Sequence, residues 1–369
     1  MRQVSVTIEY LIYLYIFICI CLMGFNTWFL VVRKRRNRVL DRRSQKLFRE
    51  IRSQMNTDSV SKKHLEHLEK NMKKYRFLMA FDRAVEMLKQ EEPEAAAKYL
   101  DEVMPVFRKL ALHFRKCPDM EQAYFAFIIA KYCQGRGREM EELIKVLVGL
   151  ICSRSPYVRE NTLRALYSLG DPYSVIYAMT LLNENKVFHH QKLLVDGMNR
   201  FQGRHDLLEK GLWERFERFS PEFQVVIVDY LRYQKEDFCA EMADLLTKAK
   251  VDKEVRLAVL RYFRNRPYEP IRRVLYGFVT SATIETWEEG ALAASALGAF
   301  TDDETIRILC GALTSKYWYL RFNSIEALQR IGIDEKLEAQ ILNGEDRFAR
   351  ELTQYKQAVL RMKQETEGR

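Results

Sequence analysis

Two hydrophobic patterns organise the chain. The first is unbroken: from Tyr10 to Val32 there are 23 residues without a charge, YLIYLYIFICICLMGFNTWFLVV. As one helix this run measures ~35 Å, enough for a hydrocarbon core of ~30 Å with some tilt. The second is periodic. Within residues 62–90, Leu65, Leu68, Met72, Tyr75 and Met79 step by three and four, placing one apolar stripe on a charged helix. That stripe fits a short coiled coil or a helix docked as a first cap, and docking is favoured because the stripe degrades after Met79. A further helix begins near Pro93 and continues towards Phe114, with Pro105 expected to kink or break it. Another runs from about Pro118 to Gln134, and Gly135 and Gly137 separate it from REMEELIKVLVGLI. Residues 53–61, SQMNTDSVS, read as a linker or a break between two helices.

From residue 153 the periodic pattern repeats. In SPYVRENTLRALYSLGD (155–171), Val158, Leu163, Leu166 and Leu169 share a helix face, and Gly170-Asp171-Pro172 ends the helix. Leu166 serves as a marker, with Leu169 three residues on. Equivalent markers are Met198, Tyr230, Phe263, Leu297 and Leu328, at spacings of 31–34 residues. Phe201, Tyr233, Phe300 and Ile331 fill the +3 position, but after Phe263 it holds Arg266. Each marker precedes a turn signal and a second apolar-periodic segment, such as DPYSVIYAMTLL (171–182) or DDETIRILCGALT (302–314). A single amphipathic pair cannot bury its apolar face, so neighbouring pairs must stack. The fold class is therefore all-α, a solenoid of helix pairs preceded by one apolar helix.

The unit SPYVRENTLRALYSLGDPYSVIYAM resembles a HEAT repeat of the short bacterial type. A Val-Arg pair seven residues before the marker recurs as Val158-Arg159 and Val255-Arg256, and as Leu320-Arg321. The resemblance covers roughly residues 120–345, with three units strong and three weak. Gln191, Phe223 and Gly290 replace the arginine in the weak ones. It implies a right-handed superhelix with second helices lining the concave side. Arg159, Arg256 and Arg321 are expected to be structural, bonding across units or to helix-end carbonyls, with a ligand-binding ladder as the alternative. The domain plan is a short extracytoplasmic N-terminus (1–9), a transmembrane helix (10–32) and a basic juxtamembrane segment and linker (33–61). Irregular helical hairpins capping the solenoid (62–152), about six HEAT-like repeats (153–345) and a C-terminal capping helix (346–369) follow.

Charge changes this picture at one end only. The chain carries a net charge of +10, yet residues 1–76 alone hold 17 Lys/Arg against 6 Asp/Glu. The remainder is close to neutral, so the basicity is local. Residues 33–52 contain ten Lys/Arg, among them Arg33, Lys34, Arg35, Arg36, Arg38, Arg42 and Arg43, against two acids. The positive-inside rule then puts the solenoid in the cytoplasm and the N-terminus outside an inner (plasma) membrane, single-pass. The same cluster suits anionic lipid at ~1 kcal/mol per basic residue, or merely fixes topology. A cleaved signal peptide is disfavoured, because the run is too long and lacks a small-residue cleavage site.

Candidate chemistry is sparse. No G-x-x-x-x-G-K-[ST], G-x-S-x-G or H-E-x-x-H motif occurs. The seven cysteines (19, 21, 117, 133, 152, 239 and 310) form no CxxC pair. They read as small core residues of a reducing compartment, apart from Cys19 and Cys21, which face lipid or accept an acyl chain. His64 and His67 read as solvated surface residues, and His189-His190 and His205-Asp206 as ordinary loop or surface groups. Glu288-Glu289 and Asp302-Asp303 fall at helix starts, where carboxylates suit the helix dipole. No cofactor, metal or catalytic residue is expected. Tyr317-Trp318-Tyr319 either staples helix ends or forms a partner contact, since Trp and Tyr dominate interface energetics.

The expectation is a non-enzymatic, membrane-tethered scaffold binding protein partners that are themselves membrane-associated. Bacterial envelope work such as polysaccharide assembly suits that topology. A HEAT-like DNA glycosylase needs a basic groove, which the near-neutral body disfavours, so no nucleic acid is expected. A bilin-lyase-like enzyme is the third reading, and the anchor and lack of an obvious site count against it.

Overall fold

The computed structural model describes residues 2–55, 59–187, 189–248, 250–332 and 335–367, with side chains omitted at 2–9, 360, 361 and 363–367. Every regular element among the described residues is helical. The chain divides into two compact units, one up to Leu169 and one from Gly170.

In the first unit, α1 (Arg2–Met55), α3 (Tyr75–Glu91), α5 (Asp119–Tyr132) and α7 (Pro156–Leu169) form one layer. The second layer consists of α2 (Lys62–Met72), α4 (Pro93–Phe114) and α6 (Glu141–Leu150). α1 is a single element of 54 residues. An 18-residue window in it has a mean hydropathy of 2.1, and none of that window is buried, so the helix is long and apolar enough to cross a membrane. Its C-terminal turns behave differently. Ser44, Leu47, Phe48 and Ile51, at helical three-and-four spacing, are buried where α1 packs on α3. Arg83 pairs with Asp41, and Arg52 with Glu92 at 2.8 Å, which sets α1 and α3 parallel.

Of the expected linker or helix break, residues 53–55 close α1, 56–58 lie outside the described residues, and 59–61 are non-helical and lead into α2. The stripe expected to run through residues 62–90 is split at Lys73-Lys74 into α2 and α3. The reversal turns Leu68 and Met72 of α2 and Leu78, Phe81, Val85 and Leu88 of α3 into one core. Ser61 caps α2, its hydroxyl accepting from the His64 amide. Pro105 does not break α4, because it sits on the exposed side, where a missing N–H is cheap.

In the second unit, α9 (Gln191–Asn199), α11 (Pro221–Leu231), α13 (Lys253–Asn265), α15 (Trp287–Leu297), α17 (Trp318–Ile331) and α19 (Arg347–Glu367) pack in succession. Between them run α8 (Pro172–Glu184), α10 (His205–Trp213), α12 (Cys239–Thr247), α14 (Arg272–Thr280), α16 (Asp303–Ala312) and α18 (Glu335–Asn343). α8 packs on α10, and α14 on α16.

The six markers Leu166, Met198, Tyr230, Phe263, Leu297 and Leu328 are all buried to 1% exposure or less. The same pattern reaches one pair further back. Asn161 donates to the Ala123 carbonyl at 3.0 Å, and Asn323 to the Ala291 carbonyl at 2.7 Å. Both asparagines stand five residues before a marker, and both alanines six before a buried residue, Ile129 or Leu297. α5 therefore occupies the place of a first helix in a repeat, rather than that of an irregular hairpin.

Candidate functional site

The basic flank is the first candidate. Arg33, Lys34, Arg35, Arg36, Arg38, Arg42 and Arg43 are all exposed on α1. Both acids of this stretch are engaged, Asp41 by Arg83 and Glu50 by Lys46 at 3.9 Å. The flank therefore keeps a strong positive excess. Between α1 and α3 lies an open cavity of about 580 Å³, lined by Arg35, Arg36, Arg43 and Arg76 beside Val39, Leu40, Tyr75 and Met79.

The recurring arginines share a geometry. Arg159 donates to the Ser153 carbonyl at 2.8 Å, Arg256 to that of Val251, and Arg321 to that of Ser315. Each guanidinium ties the first turn of its helix to the loop before it. Arg256 also bonds Glu289 at 2.8 Å, and Arg321 approaches Asp346 at 3.4 Å, both on or beside the next first helix. Glu289 is only 3% exposed, so it is a buried ion-pair partner and not a helix-end carboxylate in solvent. Asp302 does cap, accepting from the Thr305 amide at 3.0 Å. Burial opposes its charge, but the Thr305 and Tyr276 hydrogen bonds win and lower its pKa to about 2.

The three aromatic residues part company. Trp318 is 55% exposed and stacks on Phe322 with ring centroids 5.0 Å apart. Tyr319 stacks on Trp287 of α15 at 5.4 Å. Tyr317 is half-buried under the Lys316 ammonium. Trp318 and Phe322 face Phe348, Leu352 and Tyr355 of α19 across a groove of about 710 Å³, with Lys316, Arg321 and Glu351 supplying charge. Phe322, Phe348 and Tyr355 escaped the sequence reading. Their signal was the i, i+4, i+7 spacing of Phe348, Leu352 and Tyr355, hidden in a segment taken as a cap.

The histidines divide likewise. His64 is buried, not solvated, with Nε2 2.8 Å from the Tyr99 hydroxyl, and burial lowers its pKa. His67 is exposed. His205 is tied at both ring nitrogens, donating to the Phe201 carbonyl at 3.0 Å and accepting from Tyr230 at 2.8 Å. His190 caps α9, its Nδ1 accepting from the Lys192 amide. His189 and His190 border an open groove of about 900 Å³ with Arg218, Glu222 and Phe223. Among the described residues, no group of three or more His, Cys, Asp or Glu is placed to hold a metal ion.

No family model matches the chain, and no curated protein matches it. Solved structures similar to it include an engineered protein (14% identity, TM-score 0.36, covering 84% of this chain and 94% of that one). Human deoxyhypusine hydroxylase in complex with glycerol is another (16% identity, TM-score 0.27, covering 79% and 94%). A second engineered protein aligns at 18% identity and TM-score 0.24, covering 67% and 93%.

Proposed function

We propose that this chain is a scaffold held at the cytoplasmic face of an inner (plasma) membrane by α1, with its HEAT-like helix pairs offered to protein partners. The observation that carries the reading is α1 itself. One helix exposes a 23-residue uncharged run at one end and buries Leu47, Phe48 and Ile51 in the first unit's core at the other. Such a helix fixes the stack to a surface and raises the local concentration of whatever it holds. The partner contact is the α17–α19 groove, where exposed Trp318, Phe348 and Tyr355 stand beside Lys316, Arg321 and Glu351. Aromatic anchors rimmed by charge are the usual composition of an interface hot spot.

The test is affinity purification of the full chain from gently solubilised native membranes, with co-purifying proteins identified by mass spectrometry. A specific protein captured by the wild type should be lost, by roughly thirtyfold in affinity, on Trp318→Ala with Phe348→Ala. Tyr233→Ala, an exposed aromatic change away from the groove, should leave capture intact. Equal capture by both variants, or recovery of nucleic acid in place of protein, would overturn the assignment.

A further inference from the structure

The turns joining successive helix pairs of the first unit lie level with the end of the apolar run. Pairing of Asp41 with Arg83 and of Arg52 with Glu92 sets α3 alongside α1, so Tyr75 stands beside about residue 33–35, just past the uncharged stretch. α5 runs parallel to α3, as Tyr75 against Tyr124 and Asp82 against Lys131 require. α7 runs parallel to α5, since Asn161 reaches Ala123 and Ser168 reaches Ala130. The α2–α3, α4–α5 and α6–α7 turns therefore share one edge. A bond between His113 Nε2 and the Lys73 carbonyl, at 3.1 Å, joins the first two directly.

That edge is basic at the α2–α3 and α6–α7 turns and balanced at the α4–α5 turn. It carries Lys73, Lys74, Arg76, Arg115, Lys116 and Arg154, all exposed, against Asp119 and Glu121 in the first turn of α5. None of the six basic side chains forms an ion pair among the described residues. Leu112, Met120 and Tyr157 are 60%, 69% and 72% exposed along the same edge. The opposite edge is mixed in sign: Glu91, Glu92 and Glu94 precede and open α4, and Glu139, Glu141 and Glu142 precede and open α6, against Lys62 and Lys63 at the start of α2 and Arg136 and Arg138 before α6. The positive excess of the first edge is concentrated at the α2–α3 turn, beside the arginine-lined cavity between α1 and α3.

We infer that the first unit rests this edge on an anionic bilayer, with lipid phosphate held by Arg35, Arg36, Arg43 and Arg76 in the α1–α3 cavity. The inference rests on the membrane-anchored reading of α1 and adds a second, electrostatic contact to it. Basic side chains at the surface are attracted by anionic headgroups. The exposed Leu112, Met120 and Tyr157 reach the interfacial zone, and Val39, Leu40 and Met79 line the cavity beside the guanidinium groups. Such docking fixes the orientation of the stack relative to the membrane, which a single span alone leaves free to rotate about its axis.

The test reconstitutes the full chain in lipid nanodiscs, either wholly phosphatidylcholine or containing phosphatidylglycerol, and follows hydrogen exchange in residues 72–76, 114–118 and 152–156. Protection of all three turns over the anionic lipid alone is expected. Lys73→Gln, Lys74→Gln and Arg76→Gln together should weaken docking by about fivefold per residue, near a hundredfold in all. Glu94→Gln with Glu142→Gln, on the opposite edge, should change nothing, and it controls for folding. Equal exchange over both lipids in chains that do enter nanodiscs would overturn the docking while sparing the anchor. A chain that stays out of nanodiscs would instead remove the anchor reading, and the docking with it. Protection from inorganic phosphate added over phosphatidylcholine would mark a soluble-anion site and overturn the lipid assignment.

Discussion

Ile51 measures how firmly the anchor helix is built into the stack. Its side chain is fully buried between α1 and α3, with Leu47 and Phe48 one turn before it. Ile51→Ala removes three carbon centres. At ~0.8 kcal/mol per buried methylene, plus a term for the cavity left behind, the cost is about 3 kcal/mol. That loss falls first on the docking of residues 44–55, because the local opening of an end helix breaks fewer contacts than global unfolding. A penalty of this size raises the opened population by roughly a hundredfold. The assay is limited trypsin digestion of the full chain in vesicles, scored at Arg49 and Arg52. Wild type should be cut slowly at both, Ile51→Ala about a hundredfold faster, and Gln45→Ala, at an exposed position of α1 outside the α1–α3 cavity, at the wild-type rate. Rapid wild-type cleavage unaffected by Ile51→Ala would mean that residues 33–61 form a hinge, and that the helix is not shared between membrane and stack.

Three further outcomes follow from two buried side chains and a pair of glycines elsewhere. Arg256→Ala strands the Glu289 carboxylate, at 3% exposure, and should cost ~3 kcal/mol in denaturant unfolding, partly recovered by adding Glu289→Gln; full additivity of the two changes would show the pair is uncoupled. His64 has its pKa lowered from 6.5 by burial, so the unfolded chain takes up a proton more readily than the native one. Its contribution is thus fully present above about pH 6.5 and shrinks as pH falls below it; urea midpoints for His64→Gln should lose that part of the acid sensitivity, and an unchanged profile would contradict the assignment. Gly170 has φ of +77°, and an added Cβ would meet the Gln202 carbonyl oxygen at 2.6 Å. Gly170→Ala should therefore destabilise by about 2 kcal/mol or more, whereas Gly277→Ala, in open space within α14, should stabilise by up to ~1 kcal/mol. Equal melting temperatures for the two would refute the backbone reading.

The repeat was legible because its signal is local. Marker residues recur within one helix each, and burial follows from their periodicity whatever the neighbours are. The +3 position was less dependable. Tyr233 is 59% exposed and packs under the Arg232 guanidinium, while Arg266 bonds the Gln234 and Glu236 carbonyls of the loop one unit earlier. Docking of α1 was hidden by composition, since Leu47, Phe48 and Ile51 are embedded in a run of ten basic residues that reads as solvated. The reversal at Lys73-Lys74 has neither glycine nor proline to announce it. Contacts such as Tyr124 and Tyr132 converging on Asp82, at 2.9 and 2.7 Å, span 42 and 50 residues and leave no mark on local pattern. Of the aromatic site, Trp318 was visible as an exposed oddity. Its groove needed a second wall from α19, which only the fold supplies.

Protease protection in sealed membrane vesicles tests the membrane-held scaffold most directly. In right-side-out vesicles from the native cell, the expected result is a full chain that resists alkaline extraction and trypsin until detergent is added. In inverted vesicles the helical body should be digested, leaving a protected N-terminal fragment that contains residues 10–32. A chain washed off by alkali, or a body cleaved in right-side-out vesicles, would contradict the anchor or its orientation.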